Sequence, residues 1–221
     1  MAAMTSPDGA PRPAAWILAL TRAKERPPVE AIAALAAAGE DAVPALLEQL
    51  DSLDLDADDW TPVWIAVTLG EIGSARAIPA LVGLLALPEG DVLAEAAAEA
   101  LAKTGPRALP ALFIFARNAP TWEARAAGYG AIGLIPGEAS ARFLIEALDR
   151  DPLLWGAIAI ALADLGDPRS LPALEALLPR CEAREAEPVR EAIAILAGSH
   201  PPYPNVLKRP WQERFAGLLA A

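Results

Sequence analysis

The sequence contains very few of the residues from which enzymes most often build active sites. It has one histidine, His200, and one cysteine, Cys181. A Ser-His-Asp triad would need His200, which lies in a proline-rich turn, and metal sites built from several histidines or cysteines are excluded by count. A single cysteine also excludes an internal disulfide and is typical of a reducing compartment. We therefore expect a cytoplasmic, non-enzymatic protein that uses no cofactor or metal.

Positive charge and long apolar runs are scarce as well. The 18 Lys and Arg residues face 29 Asp and Glu, for a net charge of −11. A nucleic-acid-binding protein needs a basic footprint, so we expect neither nucleic acid nor an anionic membrane surface as a partner. The longest apolar stretch, 153–163, is far shorter than the roughly 18 residues of a membrane span. The acidic surface favours a protein partner with basic residues.

Alanine and leucine are abundant, and they recur in a regular pattern. Five times, a helix-like stretch runs into a glycine and is followed by a leucine-rich stretch, which begins with proline in four of the five cases. Equivalent leucines recur every 30 to 35 residues, at Leu46, Leu81, Leu112, Leu144 and Leu174. A period of about 30 residues with two helices per unit is typical of an α-solenoid. We predict an all-α, right-handed α-solenoid of five to six helix-pair repeats, and a monomer.

The same pattern predicts one domain over residues 14–221, preceded by disorder at 1–13. Residues 14–28 are predicted to be an N-terminal helical cap, 29–198 the repeats and 199–221 a C-terminal helical cap. The last prediction rests on apolar residues that share one helical face, Trp211, Phe215, Leu218 and Leu219.

Glycines and prolines mark the turns of each repeat. Gly39 and Gly73 are predicted to end first helices in the left-handed conformation, and prolines such as Pro79 then begin the second helices. Gly70 and Gly133 fall inside first helices, where glycine costs about 1 kcal/mol relative to alanine. We interpret them as places where neighbouring helices approach closely.

Two segments carry a recognisable family resemblance. LGEIG at 69–73 is followed by IPAL at 78–81, and LGDP at 165–168 is followed by LPAL at 171–174. These motifs resemble the HEAT-like repeat family, in particular its short bacterial type, over about residues 29–198. The motif residues are structural, so the resemblance predicts the fold much more strongly than the function.

The resemblance also brings several functions to consider. The family includes scaffolds, bilin-chromophore lyases, an iron-dependent peptidyl hydroxylase and a DNA-base glycosylase group. The hydroxylase binds iron through His-Glu pairs, which a chain with one histidine lacks, and the glycosylases need a basic face. We expect a non-enzymatic scaffold that binds a protein or peptide on the concave face. The alternative is a bilin-lyase-like or other small-ligand-binding protein with its activity in the concave groove.

The resemblance implies that second helices line this concave face. Counting from the equivalent leucines places apolar side chains there in repeats two to four, and we call these the apolar trough: Val82, Phe113, Ile114 and Ile145. The other interpretation is that these helices are buried on more than one side. Trp122, which follows NAPT, is the tryptophan most suited to partial exposure and to partner contact. The remaining tryptophans near helix starts are expected to fill the alanine-rich stack.

One acidic segment, DSLDLDADDW at 51–60, resembles the start of a calcium loop. Asp54, Asp56 and Asp58 have the ligand spacing, but Asp59 replaces the glycine and Ile65 the final glutamate. We therefore expect a solvated loop whose acids lie near the N-terminus of the next helix.

Overall fold

A computed structural model describes residues 13–55, 59–87, 92–202 and 211–214, and within them all regular structure is helical. The α-helices in chain order are α1 (Pro13–Arg22), α2 (Val29–Ala38), α3 (Val43–Asp51), α4 (Thr61–Ile72), α5 (Ile78–Leu84), α6 (Val92–Thr104), α7 (Leu109–Asn118), α8 (Trp122–Gly133), α9 (Glu138–Arg150), α10 (Trp155–Leu165), α11 (Leu171–Leu177), α12 (Ala183–Leu196) and α13 (Trp211–Arg214). The disorder predicted for 1–13 falls outside these residues except at Pro13, which begins α1.

The helices form two layers. The first helices of the repeats (α2, α4, α6, α8, α10 and α12) pack side by side in sequence order, and the second helices (α3, α5, α7, α9 and α11) form the other layer. Short 3-10 turns join the two helices in four of the pairs and α3, α5, α7 and α11 each begin with a Val, Leu or Ile followed by proline. The predicted α-solenoid of helix pairs is therefore confirmed.

The first-helix layer carries most of the core. Every residue from Thr61 to Gly70 is buried, which explains why α4 is apolar around its whole circumference. Small residues let these helices approach closely. A Cβ on Gly70 would lie 2.7 Å from the Cα of Ala100 in α6, and a Cβ on Gly133 would lie 2.6 Å from the carbonyl oxygen of Ala161 in α10. The close approach predicted for both glycines is confirmed.

The glycine caps follow the prediction with one exception. Gly73 and Gly166 adopt the left-handed helical conformation, with φ, ψ of 67°, 29° and 69°, 21°. Gly39 also has a positive φ of 60°, but its ψ is −134°, so the prediction of a left-handed cap there is wrong. The reason is that a 3-10 turn, Gly39–Asp41, follows α2 at once and needs the chain to leave in another direction. That conformation is also accessible mainly to glycine.

Polar contacts connect equivalent turns of successive repeats. Lys103 Nζ lies 2.6 Å from Glu71 Oε1, and a guanidinium nitrogen of Arg107 donates to the Gly73 carbonyl oxygen at 2.9 Å. Arg180 pairs with Asp149 at 3.1 Å in the same way. These residues are largely at the surface, so the ion pairs fix the register between repeats more than they add stability.

The N-terminal helix α1 packs against α2, α3 and α4, and its own Ile17 and Leu20 are buried. At the other end, the predicted C-terminal cap lies mostly outside the described residues. Phe215, Leu218 and Leu219 are not among them, and only the backbone of Trp211 is described, at the start of α13. None of the described helices is both long enough and apolar enough to cross a membrane.

Candidate functional site

The predicted apolar trough lies on three consecutive second helices. Val82 on α5, Phe113 on α7 and Ile145 on α9 are half-buried and pack against the core. Because α5 packs on α7 and α7 packs on α9, these helices form a continuous layer. A binding trough at these residues stays a prediction. Three of the four side chains contribute to the core, and the fourth, Ile114, is 65% exposed.

Phe113 stacks on a residue that the sequence analysis did not single out. Its ring lies 4.1 Å from that of Phe143 on α9, with 4° between the ring planes. Phe143 itself is only 3% exposed, and its other ring neighbour is Tyr129 on α8, at 6.4 Å. This stack joins repeats three and four and holds Phe113 in one orientation at the surface.

Two arginines complete the cluster around Phe143. The guanidinium carbon of Arg117 lies 4.8 Å from the centre of the Phe143 ring, and that of Arg150 lies 5.7 Å away. Arg150 also forms an ion pair with Glu146 at 3.4 Å. Arg117 forms no ion pair with any described residue. A guanidinium held over an aromatic ring keeps its edge free for hydrogen bonds, so Arg117 can bind a carboxylate or a carbonyl oxygen.

A comparison of the repeats could have identified Phe143. It directly precedes Leu144, and the residues in the same place in the other repeats are all alanine: Ala45, Ala80, Ala111 and Ala173. One large aromatic at a position that is otherwise always small indicates a local change in packing. The signal for Arg117 was weaker, since it depends on knowing that Phe143 lies one helix away.

A buried polar cluster lies on the first-helix side of the same repeat. Asp151, which follows α9, accepts a hydrogen bond from Arg125 Nε at 2.8 Å, and its other neighbour is the Tyr129 hydroxyl at 3.4 Å. The hydrogen bond to Asp151 raises the pKa of Arg125, and burial raises the pKa of Tyr129. Both groups therefore keep their usual protonation states at neutral pH. The cluster ties α8 to the turn before α10 and so supports the ring stack.

Trp122 is 51% exposed at the first position of α8, which confirms the partial exposure predicted for it. It begins a first helix and so belongs to the other layer from the trough. The expected filling role holds for other tryptophans. Trp64 is fully buried, and the half-buried Trp155 donates from its indole nitrogen to the Leu148 carbonyl oxygen at 2.6 Å.

The remaining polar candidates are the single cysteine, the single histidine and the acidic side chains. Burial, followed by the charge of Glu185, raises the pKa of the Cys181 thiol, which disfavours the reactive thiolate. His200 is exposed, with its Nδ1 2.9 Å from the Pro201 carbonyl oxygen. Within the described ranges there is no group of three or more His, Cys, Asp or Glu residues placed to hold a metal ion.

The acidic loop is described only in part, because Asp56 and Asp58 lie outside the described residues. At its end, Asp59 Oδ1 accepts hydrogen bonds from the Thr61 backbone nitrogen at 2.9 Å and from the Thr61 hydroxyl at 2.8 Å. This carboxylate thus binds the first turn of α4, as expected for an acid near a helix N-terminus. The absence of a calcium site in this loop stays a prediction.

Two layers of paired helices, joined repeat by repeat, define the class of helical-repeat solenoids. The sequence model for HEAT repeats matches residues 13–102 and 109–197. The chain belongs to the HEAT repeat family.

Similarity to individual proteins adds little. No curated protein sequence matches the chain. Among solved structures, human deoxyhypusine hydroxylase in complex with glycerol is 19% identical, with 94% of this chain and 96% of that chain covered and a TM-score of 0.37. A TM-score this low carries no argument about the present chain.

Proposed function

We propose that this protein is a non-enzymatic scaffold that binds a protein or peptide partner through the second helices of repeats three and four. The observation that carries the proposal is Ile114, which is 65% exposed next to the half-buried Phe113. A large apolar side chain in water beside a fixed aromatic stack is a favourable place for a partner to bury surface. In HEAT solenoids this layer lines the concave face.

The charges of the site suggest what the partner carries. The net charge of −11 favours basic residues on the partner as a whole, and this mainly affects the rate of association. Arg117, one turn after Ile114, and the exposed Arg142 on the neighbouring helix α9 are however cations without an ion pair among the described residues. We expect an apolar side chain of the partner on Ile114 and an acceptor oxygen on Arg117, with basic residues further out. No residue of this chain points specifically to the bilin-lyase-like alternative.

Capture from the native lysate tests this proposal. Ile114→Asp should abolish capture of partners, because the charge prevents burial of the site, while the circular dichroism spectrum and the melting temperature stay as in the wild type. Two exposed positions provide matched controls. Ala176→Asp introduces the same charge at the equivalent position of repeat five, and Leu153→Asp introduces it at a large apolar residue that is 84% exposed before α10.

Phe113→Asp adds a second test of the same face. Phe113 is half-buried, so we expect this variant to lose capture and also to lower the melting temperature, since it desolvates a carboxylate. If Ile114→Asp captures the same proteins as the wild type, or if Leu153→Asp loses capture to the same extent, the second helices of repeats three and four are not the binding site. Loss of capture in Ala176→Asp as well would contradict the restriction of the site to repeats three and four.

A further inference from the structure

Two adjoining clefts lie at the N-terminal end of the solenoid, away from the trough. One, of about 540 Å³, is lined largely by small and apolar residues of α1 and the following turn: Ala15, Leu18, Ala19, Pro27 and Pro28. The other, of about 630 Å³, is lined mainly by charged residues, together with one alanine and one tryptophan: Arg22, Ala23, Lys24, Glu25, Arg26, Asp59 and Trp60. Arg22 and Arg26 line both clefts, so an apolar surface and a polar surface meet at these two guanidinium groups.

The polar cleft is locally positive in an acidic protein. Arg22, Lys24 and Arg26 are exposed, and none of them forms an ion pair with a described residue. Of the two lining carboxylates, Asp59 accepts both hydrogen bonds from Thr61 and is committed to the start of α4. Three cations thus face one uncommitted carboxylate, Glu25. The helix dipole favours cations near a helix C-terminus, such as that of α1. That interaction alone does not explain why these cations line a cleft.

The turn that presents these cations has a defined shape. Lys24 is the one residue other than glycine with a positive φ, 45°, among the described residues. Its carbonyl oxygen accepts a hydrogen bond at 2.7 Å from the indole nitrogen of Trp64, which is fully buried. Trp64 in turn stacks on Trp60 in the cleft wall, with ring centres 5.5 Å apart. Core residues therefore hold the turn in a conformation that lysine rarely adopts, and such positions cluster at functional sites.

We propose that these clefts together form a binding site for a small amphiphilic anion. The carboxylate or phosphate head would lie between Arg22 and Arg26, which can donate hydrogen bonds in pairs to either group. An aliphatic tail would lie along Leu18 and Pro28, where it covers apolar surface that is now in water; Leu18 is 43% exposed and Pro28 is half-buried. This site is separate from the partner-binding face proposed above and does not depend on it.

Octanoate, below its micelle concentration, is the probe for the full-length protein. We expect saturable binding in calorimetry and a rise in melting temperature, because a ligand that binds only the folded state stabilises it. Acetate supplies the head alone and 1-octanol the tail alone, and neither should produce the effect at the same concentration. Octyl phosphate should behave like octanoate.

Two double variants locate the site. Arg22→Ala/Arg26→Ala should weaken octanoate binding by about tenfold or more, since charge-assisted hydrogen bonds are lost. Arg76→Ala/Arg184→Ala removes the same charge from exposed residues elsewhere and should leave the affinity unchanged. Leu18→Asn should weaken octanoate binding, because the aliphatic tail loses its apolar contact.

Several results would overturn the proposal. They are an absence of octanoate binding at millimolar concentration, equal loss of affinity in both double variants, or equal responses to octanoate and 1-octanol. Vesicles of phosphatidylglycerol form a separate arm. If they bind the chain through Arg22 and Arg26 while octanoate does not, the site recognises a membrane surface and the small-ligand proposal fails.

Discussion

At the scale of single residues, the absence of one methyl group sets the spacing of the first helices. Gly70 faces Ala100, and Gly133 faces Ala161, at distances where a Cβ would meet backbone atoms. Glycine is unfavourable inside a helix, so these positions trade intrinsic helix propensity for close packing. The repeat pattern alone predicted this, because the glycines sit in first helices that are otherwise rich in alanine.

Gly70→Ala should therefore lower the free energy of unfolding by about 1–3 kcal/mol, since the added carbon would lie 2.7 Å from the Ala100 Cα. Gly130→Ala is the matched control. Gly130 also lies inside a first helix, but a Cβ there would have no atom within 4 Å, so the change should raise the stability by up to about 1 kcal/mol. Urea unfolding measures both. Effects of the same sign would show that helix propensity, and not packing, dominates at Gly70.

Asp167 shows how one side chain can organise a turn. It accepts hydrogen bonds from the Arg169 backbone nitrogen at 3.0 Å and from its guanidinium at 2.6 Å, and Arg169 also reaches Glu138 of the preceding repeat at 3.3 Å. These contacts with Arg169 lower the pKa of Asp167. A carboxyl group whose pKa is lower in the folded state stabilises the fold above its unfolded pKa.

Asp167→Ala should cost about 1 kcal/mol at pH 7, because the cap of the turn is lost. The wild type loses this contribution as the pH falls from the ordinary aspartate range through the lowered pKa of Asp167. The difference between the two proteins should therefore narrow on acidification. Unfolding in urea at pH 7 and at pH 3 measures this, with Asp41→Ala as a control at another exposed position. A difference that stays constant or grows toward pH 3 would contradict the assignment.

At the scale of helices, each element needs a neighbour to cover its apolar face. The first five repeats provide one another with such neighbours, and α1 covers one side of α2 and α4. Helix α12 is the first helix of the last repeat. Its Val189 and Ala192 are buried, but its Ile193, Ile195 and Leu196 are only half-buried among the described residues. The C-terminal cap predicted from the sequence would cover apolar surface at this end, and these three residues are the half-buried apolar side chains that α12 offers there.

Truncation after Asn205 should accordingly lower the melting temperature by about 5 °C or more, since each covered large apolar side chain contributes about 1.5–3 kcal/mol before entropy is subtracted. The shortened chain should also self-associate through the bared end of the stack. Scanning calorimetry and light scattering measure the two effects. A truncated chain that melts like the full protein and stays monomeric would contradict the cap and would favour a different role for the segment containing KRPW, that of a docking peptide.

Element boundaries illustrate what a repeat pattern can and cannot predict. The helix pairs, the prolines that begin second helices and the close approach at Gly70 followed from periodicity, because each depends on local geometry repeated about every 30 residues. Gly39 did not follow the pattern, since its ψ depends on the 3-10 turn after it. Phe143 was missed because its importance lies in contacts with Phe113 and Arg117 from another helix.

At the scale of the whole molecule, the charge distribution matters more than the net charge. The chain is strongly acidic, yet Arg117 and Arg142 near the trough, and Arg22, Lys24 and Arg26 at the N-terminal clefts, have no ion pair among the described residues. These cations are too few and too scattered to form the continuous stripe that tracks a phosphate backbone.

No measurable binding to duplex DNA is therefore expected at physiological salt, because the overall field repels phosphate and little counterion release can compensate. Fluorescence anisotropy with a labelled duplex measures this directly, and a titration at low salt shows the largest effect that electrostatics can produce. Specific binding of nanomolar affinity at physiological salt would contradict this prediction and would also weaken the proposal of a protein partner.

The sequence by itself determined the class of architecture, because apolar periodicity, glycine turns and proline starts are local properties repeated in every unit. It also determined how few residues of the types common in active sites are present, since the chain has one histidine and one cysteine. Only the tertiary structure decided which apolar residues remain in water. Val82, Phe113 and Ile114 were all predicted to line the trough, but burial depends on neighbours from other repeats. The tertiary structure likewise places the Trp64 indole against the carbonyl oxygen of Lys24, forty residues away, and so shapes the clefts at the N-terminal end.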